Sequence, residues 1–290
     1  MIDAKMMLND DRGIPRLGLG VWQIPNGRIC EAAVRAALET GYRHIDTAAF
    51  YGNEESVGAA VRASGIPRED IFVTTKLWNS EHANPERALA ESLRRLKFDY
   101  VDLYLIHYPV RERQQSWRVL EKLQQQGKTL SIGVSNFTVR HLTELLAGTQ
   151  IVPAVNQVEF HPYLYQRELL DFCVARRIAV EAYCPLTQGR RLKDPKLTAV
   201  AAKYPTASAG SSKPALISRI AGQQATKSAA QILIRWALQH DLVVIPKSAN
   251  PSRIRENADV FDFEITDEDM RTLDGFHENL RSSWDPTNAP

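Results

Sequence analysis

The chain has 290 residues, 44% of them hydrophobic and 24% charged, which supplies ample core material and excludes extensive disorder. A formal net charge of only +2, with acids and bases interspersed, leaves no electrostatic footprint for nucleic acid or an anionic membrane. Cys30, Cys173 and Cys184 are an odd number without C-x-x-C spacing, which argues against a disulfide framework or a structural zinc.

Residues 1–20 are interrupted by Asp3, Lys5, Asp10, Asp11 and Arg12, so they lack the apolar core of a signal peptide. No apolar run nears the roughly 20 residues of a membrane helix, and a cytoplasmic protein is expected. Residues 6–15 read as two short strands around a polar turn, a hairpin preceding the rest. Beyond it, short apolar β-branched runs alternate with amphipathic stretches, the pattern of βαβ units and a parallel sheet. Eight strands are predicted, at 17–20, 42–45, 71–75, 100–106, 131–134, 154–156, 179–183 and 242–245. Helices are predicted at 28–40, 85–96 and 139–147, the second capped by Asn84 with Pro85 at its first position and the third capped by Thr138.

Eight strands alternating with helices predict a single (β/α)₈ barrel of the TIM type, one domain over residues 1–290. The interval from Tyr183 to Lys247 is roughly twice as long as those between the earlier strand ends, which predicts an insertion within 187–225 before the last strand. Its middle, 205–213, is small, polar and proline-flanked, as a loop would be, while 195–204 and 214–224 look helical.

Polar residues follow several apolar strands: Asp46, Lys76 and His107. In a barrel those strand ends converge on one face, where enzymes of this architecture place their sites. Taken singly, Asp46 could cap a helix, Lys76 could be a solvated loop lysine and His107 a satisfied core histidine. Tyr51, five residues after Asp46 on the same loop, adds a chemical reason to join them. A tyrosine has an ordinary pKa of about 10, and lowering it by two to three pH units requires about 3–4 kcal/mol of differential stabilisation. Lys76 is expected to supply this as an ammonium beside the phenol, with Asp46 holding it charged and His107 hydrogen-bonding a substrate carbonyl.

At these residues the sequence resembles the aldo-keto reductase family over essentially its whole length, close to its bacterial diketogluconate and methylglyoxal reductase-like members. The family's Asp, Tyr, Lys, His tetrad falls on Asp46, Tyr51, Lys76 and His107, within Gly41-Tyr42-Arg43-His44-Ile45-Asp46-Thr47-Ala48 and Leu105-Ile106-His107-Tyr108-Pro109. No G-x-G-x-x-G turn follows the first strand, so a Rossmann mode of dinucleotide binding is not indicated. The resemblance implies instead an extended NADPH across the barrel mouth. It places the cofactor against Gly20, Val21, Trp22 and Asp46, with its carboxamide at Ser135, Asn136 and Gln157, and Tyr183 stacked on the nicotinamide ahead of Pro185 and Leu186. Cys184 stands where the family usually has serine. Lys247, Ser248 and Arg253 are implied around an adenosine 2′-phosphate, with Glu256 and Asn257 at the adenine; two cations before a helix suit a dianion.

Trp22, Tyr51, Trp78, His107 and Tyr108 are the expected substrate contacts, since rings with a few polar groups line compact pockets. The substrate implied is a small aldehyde or ketone, with methylglyoxal and keto-sugar acids as candidates, and a monomer is expected. Tyr108 replaces a tryptophan common in relatives. The tail 280–290 carries Arg281 and Trp284; it could fold over the pocket, where Arg281 would favour an acidic substrate, or fray at the surface. Competing readings are a Schiff-base aldolase using Lys76, a metal hydrolase using His44, His107 and His161, and a cofactor-binding regulatory module with little turnover.

Overall fold

The computed structural model describes residues 1–206 and 225–290. Eight parallel strands follow an antiparallel hairpin of β1 (Lys5–Met7) and β2 (Gly13–Pro15). They are β3 (Leu19–Gly20), β4 (His44–Asp46), β5 (Phe72–Leu77), β6 (Val101–Ile106), β7 (Thr129–Ser135), β8 (Val155–Glu159), β9 (Ala179–Tyr183) and β10 (Val243–Val244). Each pairs with its neighbours in chain order, and parallel bridges Leu17↔Val244 and Gly20↔Lys247 join the last strand to the first. The result is a (β/α)₈ barrel, so the fold and its hairpin agree with the sequence.

The expected 179–183 strand is reproduced residue for residue, whereas β5 and β8 run on to Leu77 and Glu159. Asp46 and Lys76 therefore lie within β4 and β5 rather than after them. The apolar pattern breaks at these side chains, but backbone pairing does not: Lys76 is still in register with Leu105.

The helices follow from local chemistry. In α1 (Arg28–Thr40), Cys30, Ala33, Val34, Ala37 and Leu38 recur at helical spacing and are buried on the barrel. The helix stops at Gly41, whose φ of 105° lets its N–H return to the carbonyls of Ala37 and Leu38. After α2 (Glu54–Ala63), α3 (Pro85–Leu96) begins with Asn84 accepting from the N–H of Arg87. α4 (Arg113–Gln125) is followed by α5 (Val139–Leu146), where Thr138 and His141 form a reciprocal capping box.

α6 (Arg167–Val174), α7 (Pro195–Ala201), α8 (Ala229–Gln239), α9 (Pro251–Ala258) and α10 (Asp267–Asp274) complete the described helices. Within the expected insertion, a short 3₁₀ turn at Thr187–Gly189 leads to α7, which buries Leu197, Val200 and Ala201 and ends three residues before Tyr204. Pro205 then bridges Thr226. The expected helix at 214–224 and most of the polar stretch at 205–213 lie outside the described residues.

The hairpin closes one end of the barrel. Leu8 and Ile14 pack with Phe72, Leu103, Leu105, Ala154, Val155 and Val243, all buried and mostly at strand beginnings. The opposite end carries the polar strand termini.

Candidate active site

Tyr51 is placed by a tight turn. The chain leaves β4 through extended Ala48 into a 3₁₀ turn, Ala49–Tyr51, and Gly52 closes it at φ 67°. Asn53 then clamps the loop: its Nδ2 donates to the carbonyls of Val21 and Ile24, each at 2.9 Å, and its Oδ1 accepts from Thr47 Oγ1 at 2.8 Å. Behind the phenol, Lys76 is fully buried. Its Nζ donates to Asp46 Oδ1 and Oδ2 at 2.7 and 2.8 Å and to the Thr47 carbonyl at 2.8 Å, and approaches the Tyr51 hydroxyl at 3.3 Å. The His107 ring lies 5.7 Å from that of Tyr51, edge to face, and its Nδ1 has no hydrogen-bond partner among the described residues.

The electrostatics differ in sign from the sequence expectation for Tyr51. Burial and then the Asp46 carboxylate push the phenol well above its ordinary pKa. Tyr51 therefore holds its proton firmly. His107 is pushed well below its ordinary value, by burial and then by Lys76, and is a neutral imidazole at neutral pH.

Next to this group, Gln157 Nε2 donates to both Asp46 Oδ2 and Glu181 Oε2 at 2.8 Å. Sequence reasoning missed Glu181 and gave His44 no part here beyond metal binding. His44 Nε2 lies 3.2 Å from Thr74 Oγ1 and 3.5 Å from Glu181 Oε1. The ring fits because residue 18 is glycine; a Cβ there would come within 2.6 Å of His44 Nδ1.

A cleft of about 700 Å³ opens over these residues, within the size range of small-molecule and cofactor sites. One end is lined by Trp22, Phe50, Tyr51, His107 and Tyr108, and its middle by Ser135, Asn136, Gln157 and Tyr183. It continues past Pro185 and Leu186 to Lys247, Ser248, Arg253, Glu256 and Asn257, with Gly20 and Asp46 on its floor. The Asn136 amide is internally satisfied, donating to the His107 carbonyl and Ser135 Oγ at 3.0 Å and accepting from the Tyr183 hydroxyl at 2.7 Å. At the far end, Asn250 caps α9 by accepting from Ser252 and Arg253, and Lys247 and Arg253 are exposed with no ion-pair partner among the described residues.

Two expected contacts are not part of the cavity lining. Val21 has no exposed surface: its side chain is in the core, its N–H goes to Asp46 and its carbonyl to Asn53. Trp78 is set back behind Phe50, which stacks on it at 3.8 Å and supplies the cavity lining. Phe50 was missed because an aromatic beside Tyr51 has no periodicity to assign its face.

The tail is tied down rather than frayed. Glu159 accepts from Ser282 N at 2.7 Å and Ser283 N at 3.0 Å, and Gln188 donates to the Ser282 carbonyl at 2.9 Å. Ser283 thereby lines the cavity and Trp284 meets Tyr108 edge-on at 4.8 Å, while Arg281 turns to Asp285 at 3.2 Å and is not part of the lining. Among the described residues there is no cluster of three or more His, Cys, Asp and Glu side chains that could hold a metal ion.

Barrel, buried Lys–Asp pair and adjacent tyrosine put a polar group at the strand ends, beside a cleft that reaches two exposed cations. Comparison makes the class specific: residues 16–278 match the aldo/keto reductase family model, and the chain belongs to that family. It is an oxidoreductase of carbonyl compounds whose family uses a nicotinamide cofactor. Among its relatives, glyoxal reductase of Bacillus subtilis (strain 168) is 45% identical over 94% of this chain and 92% of that protein. Methylglyoxal reductase DkgA of Yersinia pestis is 45% identical over 96% and 95% respectively. Among solved structures, an aldo-keto reductase of Bombyx mori in complex with NADP superposes with a TM-score of 0.86 at 36% identity, covering 100% of this chain and 98% of that one. No described helix is long and apolar enough to cross a membrane.

Proposed function

We propose that the protein is an NADPH-dependent reductase of small aldehydes and ketones, with Tyr51 as its proton donor. The observation that carries this is the placement of the Tyr51 hydroxyl at 3.3 Å from buried Lys76 Nζ, at the mouth of a cleft that ends in Lys247 and Arg253. The residues fit the cofactor. Cations at a capped helix start, without an ion-pair partner among the described residues, suit a 2′-phosphate, with Ser248 beside them and Glu256 and Asn257 near an adenine. Ser135, Asn136 and Gln157 would meet the carboxamide, and Tyr183 the nicotinamide face, flanked by Pro185 and Leu186.

Bound there, the cofactor supplies a hydride to the carbonyl carbon. The chain does the rest. Neutral His107 orients the carbonyl oxygen by hydrogen bonding, and Tyr51 gives that oxygen its proton. Lys76 stabilises the resulting phenolate, which water reprotonates, and Asp46 keeps the ammonium in place. Phe50, Trp22 and Tyr108 hold the substrate in a compact aromatic wall, with Trp284 behind Tyr108. That space suits dicarbonyls of the size of methylglyoxal, in line with the names of two relatives. Arg281, turned to Asp285, gives no support to a keto-acid preference.

Lys76 is a poor Schiff-base nucleophile, since its Nζ is occupied by the Asp46 oxygens and the Thr47 carbonyl. The test is NADPH oxidation with methylglyoxal in wild type and Tyr51→Phe. The variant should bind NADPH normally and lose about 10³-fold or more in kcat, the range of a general acid and its partners. Undiminished turnover in Tyr51→Phe would remove it from the mechanism; tight NADPH binding without turnover in wild type would favour a regulatory module.

A further inference from the structure

The proton transfer just described leaves one buried acid unused. Glu181, in the middle of β9, is fully buried and accepts from Gln157 Nε2 at 2.8 Å through Oε2. Its Oε1 faces His44 Nε2 at 3.5 Å and has no hydrogen-bond partner among the described residues. The same Gln157 nitrogen donates to Asp46, so two carboxyl groups share one amide in a water-excluded space.

Charge balance in that space is tight. From β4 the groups facing Glu181 are His44 and Asp46; from β5, Lys76 and the uncharged Thr74; from β8, uncharged Gln157. β10 contributes Val243 and Val244, neither ionisable. Burial lowers His44 to about 3, so it is neutral. That leaves a single cation for two acids. Lys76 is committed to Asp46, with both oxygens within 2.8 Å, so Asp46 remains the ionised member although burial pushes its pKa upward. Glu181 has no such contact; burial and then the Asp46 carboxylate raise it to about 8.

We propose that Glu181 is a positioning residue, held as a carboxylic acid, so that Lys76 faces one buried carboxylate and its ammonium stays directed at Tyr51. The proposal rests on the reading of Tyr51 as the proton donor. Glu181 Oε2 accepts from Gln157 and can be the carbonyl oxygen of a neutral acid, while Oε1, 3.5 Å from His44 Nε2, is left to carry the proton. When Glu181 loses that proton, a second negative charge appears beneath the pair. It opposes the negative charge that builds on Tyr51 oxygen as the phenol gives up its proton. Turnover is then lost on the alkaline side through Glu181, before Tyr51 itself ionises.

The experiment is the pH profile of kcat at saturating NADPH and methylglyoxal, for wild type and Glu181→Gln. The amide keeps an acceptor for Gln157 and cannot ionise. Wild-type kcat should fall through about pH 8, and the variant's alkaline limb should move upward by at least about one pH unit. A purely packing role changes kcat at every pH alike, so superimposable limbs would overturn the proposal. Should Glu181→Gln fail to fold, infrared spectra of the wild-type holoenzyme with ¹³C-labelled glutamate decide the matter. A protonated glutamate carbonyl band at about pH 6 supports it, and no such band overturns it. Failure of the reductase reading itself shows separately, as turnover that survives in Tyr51→Phe.

Discussion

At the strand beginnings, Ile14 of the hairpin sits among Phe72, Leu103, Leu105, Val155 and Val243, and the group is wholly apolar. At the other end of the same barrel, β4, β5, β8 and β9 turn Asp46, Lys76, Gln157 and Glu181 into an equally dry interior. The two ends are alike in burial and opposite in energetics. Each buried aliphatic side chain contributes about 1.5–3 kcal/mol to folding. A buried ion pair returns little beyond its desolvation cost, and keeps its stability only while both partners remain. The hairpin end therefore adds to stability side chain by side chain, whereas the charged strand ends contribute little to it.

The sharpest way to break that contrast is Lys76→Met. It should abolish measurable methylglyoxal reduction and cost about 3–5 kcal/mol in urea unfolding, because Asp46 is left buried and unpaired. Adding Asp46→Asn should recover most of the stability and none of the turnover; recovery of both would show that the pair is not catalytic. Next in size is Ile14→Ala, expected to cost about 2–4 kcal/mol while kcat per folded molecule is unchanged. A drop in kcat for folded Ile14→Ala would mean that the two ends are mechanically coupled. Smallest is Arg253→Ala at the exposed end of the cleft. Fluorescence titration should show NADPH binding weakened about tenfold and NADH binding unaffected, the loss of one charge-assisted contact. Equal weakening of both would place the phosphate elsewhere.

What could be read from the sequence divides along similar lines. The strand at 179–183, the caps at Asn84 and Thr138, and the convergence of Asp46, Tyr51, Lys76 and His107 depend on local pattern and strand ends, and the structure places them as expected. Glu181 was hidden inside that correctly assigned strand. An isolated acid among Ala179, Val180 and Ala182 reads as a solvent-facing position of an alternating strand, and only barrel closure turns it inward toward β4. His44 was obscured in the same way. The sign of the Tyr51 shift was missed because it depends on how the folded surroundings desolvate the hydroxyl and bring the Asp46 carboxylate near it, which a short loop sequence does not specify. The tail depended on Glu159, whose partners Ser282 and Ser283 are more than a hundred residues away.

The closing bridges Leu17↔Val244 and Gly20↔Lys247 have one more consequence. They form a seam between the start and the finish of the sheet, held by fewer rungs than the long ladder of β5 and β6. Gly20 and Lys247 both line the cleft, one on each side of that seam. A dinucleotide lying there would act as a staple across it, so the seam's amides should exchange with solvent more slowly when it is bound, and the join between first and last strand would be tightened by the ligand it holds.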